Sequence, residues 1–173
     1  RCPCQVGVVH DFEVRSMNRE EIVPALQHRF PEAILSIFEK SATRVYLEIK
    51  ADAIVGLAEY LFKELGARFN IASGVDDRNQ MEILYHFTLE DINLLLSLRV
   101  ILPKTDLAIA SLTPVFRAAH WVEREIHELL GIHFVGHPNL ERLLLPEEWP
   151  EGVYPLRKDY QEWDPNAIRD RGV

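Results

Sequence analysis

The clearest periodicity in the chain is an alternation of apolar and polar positions in its first third. Val45, Leu47 and Ile49 alternate with Tyr46, Glu48 and Lys50. That is the pattern of a half-buried strand in an antiparallel pairing. Ala33–Glu39 reads as its partner, across Lys40-Ser41-Ala42-Thr43. Met81–Thr88 and Asn93–Leu102 are two further strands, with β-forming bulk at Tyr85, Phe87, Leu94, Leu96, Leu98 and Val100. Glu90-Asp91 marks the turn between them and Pro103 closes the second. Phe69–Ser73 is a shorter strand followed by a turn over Gly74–Asn79, and Gln5–Val14 has the apolar character of a short edge strand.

Helical spacing appears in three places. Asn18 has the form of an N-cap, with Glu20 and Glu21 where a helix dipole favours negative charge. Ile22, Val23, Leu26 and Phe30 follow, Pro31 stops the helix, and Pro24 marks its start or a kink. Asp52 is placed to cap a second helix, whose apolar face is Ile54, Leu57, Ala58, Leu61, Phe62 and Leu65, and Gly66 ends it. After a connector over 105–117, turning at Thr113-Pro114, a third helix is expected at 118–130. Its apolar stripe is Ala118, Val122, Ile126, Leu129 and Leu130. Glu123, Arg124, His127 and Glu128 fall on the other side, where Glu123 with His127 and Arg124 with Glu128 are spaced to pair. Gly131 is its C-cap. The order is helix, two strands, helix, three strands, helix. It predicts an α+β fold, a two-layer α/β sandwich with a mixed sheet.

From Ile132 onward neither period survives. Prolines 138, 146, 150, 155 and 165 punctuate the rest of the chain. The segment still carries Phe134, Leu140, Leu143, Leu144, Leu145, Trp149, Tyr154, Leu156, Tyr160 and Trp163, residues that disordered segments lack. An extended segment with that much apolar surface must lie on something. The expected division is an α/β domain over 1–131 and an extended, Pro-rich docking arm over 132–173. Truncation after Gly131 is expected to leave a foldable domain that no longer assembles.

Composition narrows the function classes. With 19 Lys and Arg against 27 Asp and Glu, the formal charge is −8. Such a chain is poorly suited to nucleic acid, which requires a basic face. Residues 118–173 hold eleven acidic and six basic side chains, so the excess sits with the third helix and the arm. No apolar run approaches the ~20 residues of a membrane span, so no direct membrane span is expected. Cys2 and Cys4 are too close for easy mutual bridging and too few for a closed metal site. The chain opens on Arg1, as expected of a fragment of a longer protein.

His120, His127, His133 and His137 are four of the seven histidines, gathered at the third helix and just beyond it. A metal-dependent hydrolase using this cluster is one reading. The zinc-protease pattern needs two histidines four apart on one helix with Glu after the first. His127-Glu128 starts it, but Gly131 stands where the second histidine belongs. Surface and turn histidines are the plainer reading, and no metal site is expected. Glu123 with Glu128, or Glu147-Glu148, are paired carboxylates without a neighbouring nucleophile. No Gly-rich phosphate loop, no GxSxG and no reactive-cysteine motif occurs. No catalytic or cofactor-binding residue is therefore expected. Glu123-Arg124-Glu125 and Arg157-Lys158-Asp159 are mixed-charge clusters suited to register-fixing contacts.

Thr113-Pro-Val-Phe, Ala118-Ala-His-Trp-Val-Glu-Arg-Glu125, Leu129-Leu-Gly-Ile-His-Phe-Val-Gly-His-Pro-Asn-Leu-Glu-Arg-Leu-Leu144 and Pro155-Leu-Arg-Lys-Asp-Tyr160 resemble the signature of the thirty-kilodalton subunit of respiratory complex I. The same domain occurs in membrane-bound nickel–iron hydrogenases and formate hydrogenlyase. The resemblance covers about residues 110–160. Leu129-Leu130 stands where the family usually has an aromatic or Met-Phe pair, and Arg117 where proline is common. Trp149–Pro155 is longer than the short complex I link and closer to the hydrogenase branch. The resemblance implies a non-redox structural subunit of NADH:quinone oxidoreductase, which passes electrons from NADH to quinone and translocates protons, or of a related hydrogenase. It implies a peripheral place on the cytoplasmic side of the cell membrane. It implies docking on the large subunit (the forty-nine-kilodalton type, akin to a hydrogenase large subunit) beside an iron–sulfur small subunit. Iron–sulfur clusters, and FMN or nickel–iron, would sit in those partners and none in this chain. The interface positions it implies are Glu123, Arg124, Glu125, Gly131, Gly136, His137, Pro138, Arg157, Lys158 and Asp159.

Overall fold

The computed structural model describes residues 18–162, so the strand expected at 5–14 and the Cys2 and Cys4 thiols lie outside the described residues. The first helix, α1 (Arg19–Arg29), starts at Asn18, whose N–H donates to the Glu21 carboxylate at 3.0 Å. Pro24 therefore lies inside the helix rather than at its start. Its missing N–H costs one internal hydrogen bond, and the buried pair Ile22 and Leu26 still fastens the helix to the core. Strands β1 (Ile34–Ser41) and β2 (Arg44–Ile49) follow. Helix α2 (Ile54–Glu59) is entered through a tight turn at Ala51–Ala53 and runs into a wide turn at Tyr60–Glu64. Asp52 sits in that tight turn, and no side chain caps the helix.

The next three strands are β3 (Arg68–Asp77), β4 (Gln80–Leu89) and β5 (Leu94–Pro103). The turn expected over Gly74–Asn79 shrinks to Arg78-Asn79, because β3 keeps its pairing with β4 up to Asp77 opposite Gln80. The sheet order is β1-β2-β5-β4-β3. The antiparallel pattern of β2 is met by β1, but its other neighbour, β5, runs parallel to it. The sheet is thus mixed, as expected, with Leu47, Tyr85, Phe87, Leu98 and Val100 in one core with Leu26, Leu57 and Leu61 of the helices. Phe69 and Phe87 stack with Phe116, tying the sheet to the loop before the third helix. On the opposite face, Arg99 forks onto Glu82 at 2.5 and 2.9 Å and reaches Glu48 at 3.0 Å.

Two elements escaped the pattern. Within the expected connector, β6 (Ala108–Ala110) pairs in parallel with β7 (His133–Val135), forming a second, two-stranded sheet. Three residues are too few for alternation to show. Between them runs α3 (Ala119–Leu130). It packs on β3 at Gly74, where any Cβ would run into the Leu130 side chain and lie 3.3 Å from Ile126. The core continues past Gly131, since Ile132 and Phe134 are fully buried in it.

That continuation has a measurable consequence. Phe134→Ala is expected to cost about 3–5 kcal/mol, as for a large core side chain. Phe38→Ala, at a ring that is 62% exposed, should stay within about 0.5 kcal/mol. Chemical denaturation of the two variants tests the contrast.

Candidate functional site

Helix α3 buries Ile126 and Leu130 of its expected apolar stripe, with Val122 packed against the core, but it also turns inward two residues that the stripe assigns to solvent. Its buried residues are Ala119, Glu123, Ile126, Glu128 and Leu130, while Ala118 is exposed. Glu123 and Glu128 are therefore inward, and neither expected i,i+4 pair forms among the described residues. The reason is local. Ser111 Oγ donates to the Glu123 carboxyl at 2.5 Å, the Leu112 N–H at 2.6 Å and Thr113 Oγ1 at 3.3 Å. A carboxyl met by three donors can stay buried where a lone one could not. Burial still raises its pKa above the usual carboxylate value, partly offset by those three hydrogen bonds.

Glu128 does the same work on the tail. Its carboxylate accepts the N–H groups of Leu143, Leu144 and Leu145 at 3.0, 2.8 and 2.6 Å. One helical turn earlier, Arg124 donates to the carbonyls of Glu141 and Arg142 at 2.9 and 2.7 Å, and its guanidinium lies 5.3 Å from the Trp121 ring centre. An acid and a base four apart on one helix thus grip five consecutive residues, 141 to 145, by main-chain atoms alone. The tail then coils on itself. Arg142 donates to the carbonyls of Pro146, Glu147 and Trp149, and Trp149 Nε1 donates to the Val153 carbonyl at 2.8 Å.

At the helix C-terminus the grip continues. Arg157 Nε donates to the Leu130 carbonyl at 2.7 Å, and the Leu156 N–H to that of Leu129 at 3.2 Å. These satisfy carbonyls that a helix end leaves without partners. Gly131 is required twice over. Its φ is +77°, and a Cβ there would lie 2.5 Å from both Arg157 Nη2 and the Tyr154 ring. Farther along, the Lys158 N–H donates to Asp76 at 2.8 Å, and Lys104 pairs with the same carboxylate at 2.8 Å. Burial works to raise the Asp76 carboxyl, but Lys104 and the Lys158 amide outweigh it and leave it below the usual value.

Two of the four clustered histidines are committed to this framework. His137 Nε2 donates to the His120 carbonyl at 3.1 Å, and its Nδ1 accepts the Asn139 N–H at 3.1 Å. The carbonyl can only accept and the amide can only donate, so the imidazole is neutral with its proton on Nε2. His127 donates from Nδ1 to the Ile132 carbonyl at 2.8 Å. Among the described residues, no group of three or more His, Cys, Asp or Glu is arranged to hold a metal ion.

The ten positions singled out in the sequence therefore divide. Glu123, Arg124, Gly131, His137 and Arg157 lock the tail and the 111–113 loop to α3, and Gly136 turns the chain after β7. Lys158 joins the lock through its main chain. Glu125, Pro138 and Asp159 are exposed. Sequence reasoning missed Asp76, Ser111, Thr113 and Arg142. A usable signal existed for Arg142, a cation in a segment whose main chain no regular element can satisfy.

Comparison with known proteins places this geometry. Residues 47–165 match the family described as the respiratory-chain NADH dehydrogenase, 30 Kd subunit. The chain is 35% identical over 159 residues to a subunit of the F(420)H(2) dehydrogenase of Methanosarcina mazei, covering 89% of this chain and 99% of that one. It is 30% identical over 153 residues to hydrogenase-4 component G of Escherichia coli, covering 86% of this chain but only 28% of that longer one. Its fold matches a chain in the membrane-bound sulfane sulfur reductase, an archaeal respiratory membrane complex, with a TM-score of 0.70 at 22% identity, covering 83% of this chain and 86% of that chain.

Two outcomes follow from the lock. Glu128→Ala leaves three N–H groups without their acceptor, which is expected to ease local opening of 141–145 by about 1–3 kcal/mol in hydrogen exchange. For His137, burial first, and then the charges of His120, Arg124 and His127, outweigh the bond to the His120 carbonyl and hold its pKa below the ordinary 6.5. Such a group stabilises the fold fully only above its unfolded value, and the contribution fades as pH falls below it. The protection factor of the Asn139 amide should drop over that range, and His137→Gln should remove the step. A wild-type profile with no step would refute this account.

Proposed function

The chain belongs to the family of the respiratory-chain NADH dehydrogenase, 30 Kd subunit, and from that premise we propose that it is a structural subunit, without a redox centre of its own, docked on a large subunit of the forty-nine-kilodalton type. Family membership makes it part of an oxidoreductase complex of the respiratory membrane type. Among the described residues no helix is long and apolar enough to cross a membrane, so its place in such a complex is peripheral. In this reading that place is on the cytoplasmic side, and an iron–sulfur small subunit is the second neighbour.

The observation that carries the docking reading is the manner in which the tail is held. Arg124, Glu128 and Arg157 take its main chain or brace it against α3. Among the tail side chains, Leu144 and Leu156 point outward, 59% and 60% exposed. A fixed segment with outward apolar side chains is what a contact surface requires. The commitment of His127 and His137 to main-chain partners supports the reading that redox groups reside in the partner subunits.

NADH:quinone oxidoreductase is the first choice of parent complex. A hydrogenase or an F(420)H(2)-type dehydrogenase is the second reading, favoured by the whole-length match to a separate subunit of the latter and by the match to hydrogenase-4 component G.

Because Ile132 and Phe134 belong to the core, the informative truncation falls after Gly136 rather than after Gly131. Co-expressed with the large and iron–sulfur subunits, the full chain should co-purify with both. The chain ending at Gly136 should keep a cooperative unfolding transition and fail to co-purify. Full assembly of the truncated chain would overturn the docking role. A bound chromophore in the isolated full chain, read by visible absorption, would overturn the non-redox role.

A further inference from the structure

Between α3 and the coiled tail lies a cleft of about 450 Å³. Trp149, Tyr154 and Leu145 line it, together with three carboxylates, Glu128, Glu141 and Glu151. The guanidinium at the cleft, that of Arg142, donates to the carbonyls of Pro146, Glu147 and Trp149. Glu128 is likewise engaged, by three N–H groups. Glu141 accepts the side-chain amide of Asn139 at 3.0 Å, a neutral donor that leaves its charge in place. No ion pair forms at Glu141 or Glu151 among the described residues. Neutral partners leave the charges of Glu128 and Arg142 in place as well, so the cleft carries three carboxylate charges against one guanidinium, set beside aromatic rings.

The same asymmetry holds on the surrounding surface. Arg124, Arg142 and Arg157 are turned onto carbonyl oxygens. Glu141, Glu147, Glu148, Glu151 and Asp159 of the tail are exposed, against the exposed cations Arg142 and Lys158. In a chain with a net charge of −8, this face displays acid while its arginines are committed to the framework. Leu144 precedes the cleft-lining Leu145 in the chain and Leu156 follows the cleft-lining Tyr154 by two residues, both largely exposed.

We propose that this cleft receives a lysine or arginine side chain from an apolar-flanked segment of the large partner subunit, with Leu144 and Leu156 meeting the apolar flanks. The proposal rests on the docking reading above and names its chemistry. Carboxylates beside aromatic rings suit a cation both by charge and by the ring quadrupole. The charge component acts over a distance, speeds association and weakens with salt. The same carboxylates repel phosphate-bearing partners, so neither nucleic acid nor an anionic lipid surface is the occupant.

The test uses the full chain and its co-expressed large subunit, with the affinity measured at low and at high salt. Glu141→Gln with Glu151→Gln keeps shape and hydrogen-bonding capacity and removes two charges. It is expected to weaken binding about tenfold at low salt and to flatten the salt dependence. Leu144→Ser with Leu156→Ser should weaken binding at both salt levels. Unchanged thermal unfolding of each double variant shows that the fold is intact. If the glutamine pair binds as tightly as wild type with the same salt slope, while the serine pair still weakens binding, the cleft is not the receptor and the docking reading stands. If neither pair changes the affinity, both are overturned.

Discussion

The structure turns on one constraint: a buried carboxylate must find donors, and the donors available near α3 are largely main-chain amides. Glu123 finds its partners in the 111–113 loop and Glu128 in residues 143 to 145. Removing an ion from water without such partners costs several kcal/mol, so each carboxylate dictates where its loop must run. Arg124 fixes the complementary end of the tail through two carbonyls. An acid reading N–H groups and a base reading C=O groups set both position and direction of the segment. The tail needs no helix or strand of its own, because α3 supplies the partners that regular structure would.

This also accounts for what the sequence disclosed and what it hid. The strands were legible because alternation over six to ten residues survives in β2, β4 and β5. The face of α2 was legible because Ile54, Leu57, Ala58 and Leu61 are apolar and buried together. The orientation of α3 was not, because a hydrophobic stripe assigns every charge to solvent, and here two of the charges are structural. Nor could spacing show that β3 continues through Asp76 to meet Lys104 and Lys158, contacts made across 28 and 82 positions of sequence. The family signature was visible from order alone. Its meaning changed once the side chains were placed, since Glu123, Arg124, Gly131 and Arg157 act within the chain.

A main-chain lock has a further property. Apart from His137, Arg142, Trp149 and Arg157, whose side chains make bonds of their own, side chains of the tail can vary without disturbing the hydrogen bonds that hold it, provided that no proline falls at 143, 144 or 145, whose N–H groups are in use. The constrained positions lie on α3, at the tail side chains that bond back to the framework, and at Gly131, where geometry excludes a side chain. Residues that build the surface and residues that present it are thus separate sets. A motif recognised in sequence marks the builders more readily than the presenters, because the builders are the ones the fold constrains.

For a subunit that docks, this division lowers the cost of assembly. A flexible arm must lose its conformational freedom on binding, and that loss is subtracted from the affinity. Here residues 141 to 145 and 154 to 158 are ordered by their own domain. The ordering cost is met during folding, by hydrogen bonds that no partner supplies. On the docking reading, what the partner meets is a preformed acidic surface with apolar studs, and its affinity depends on complementarity rather than on the length of the arm. The His137 bridge sets one limit on that preorganisation. It joins α3 to the start of the tail through a neutral imidazole, so acidification that protonates this ring loosens the presenting framework.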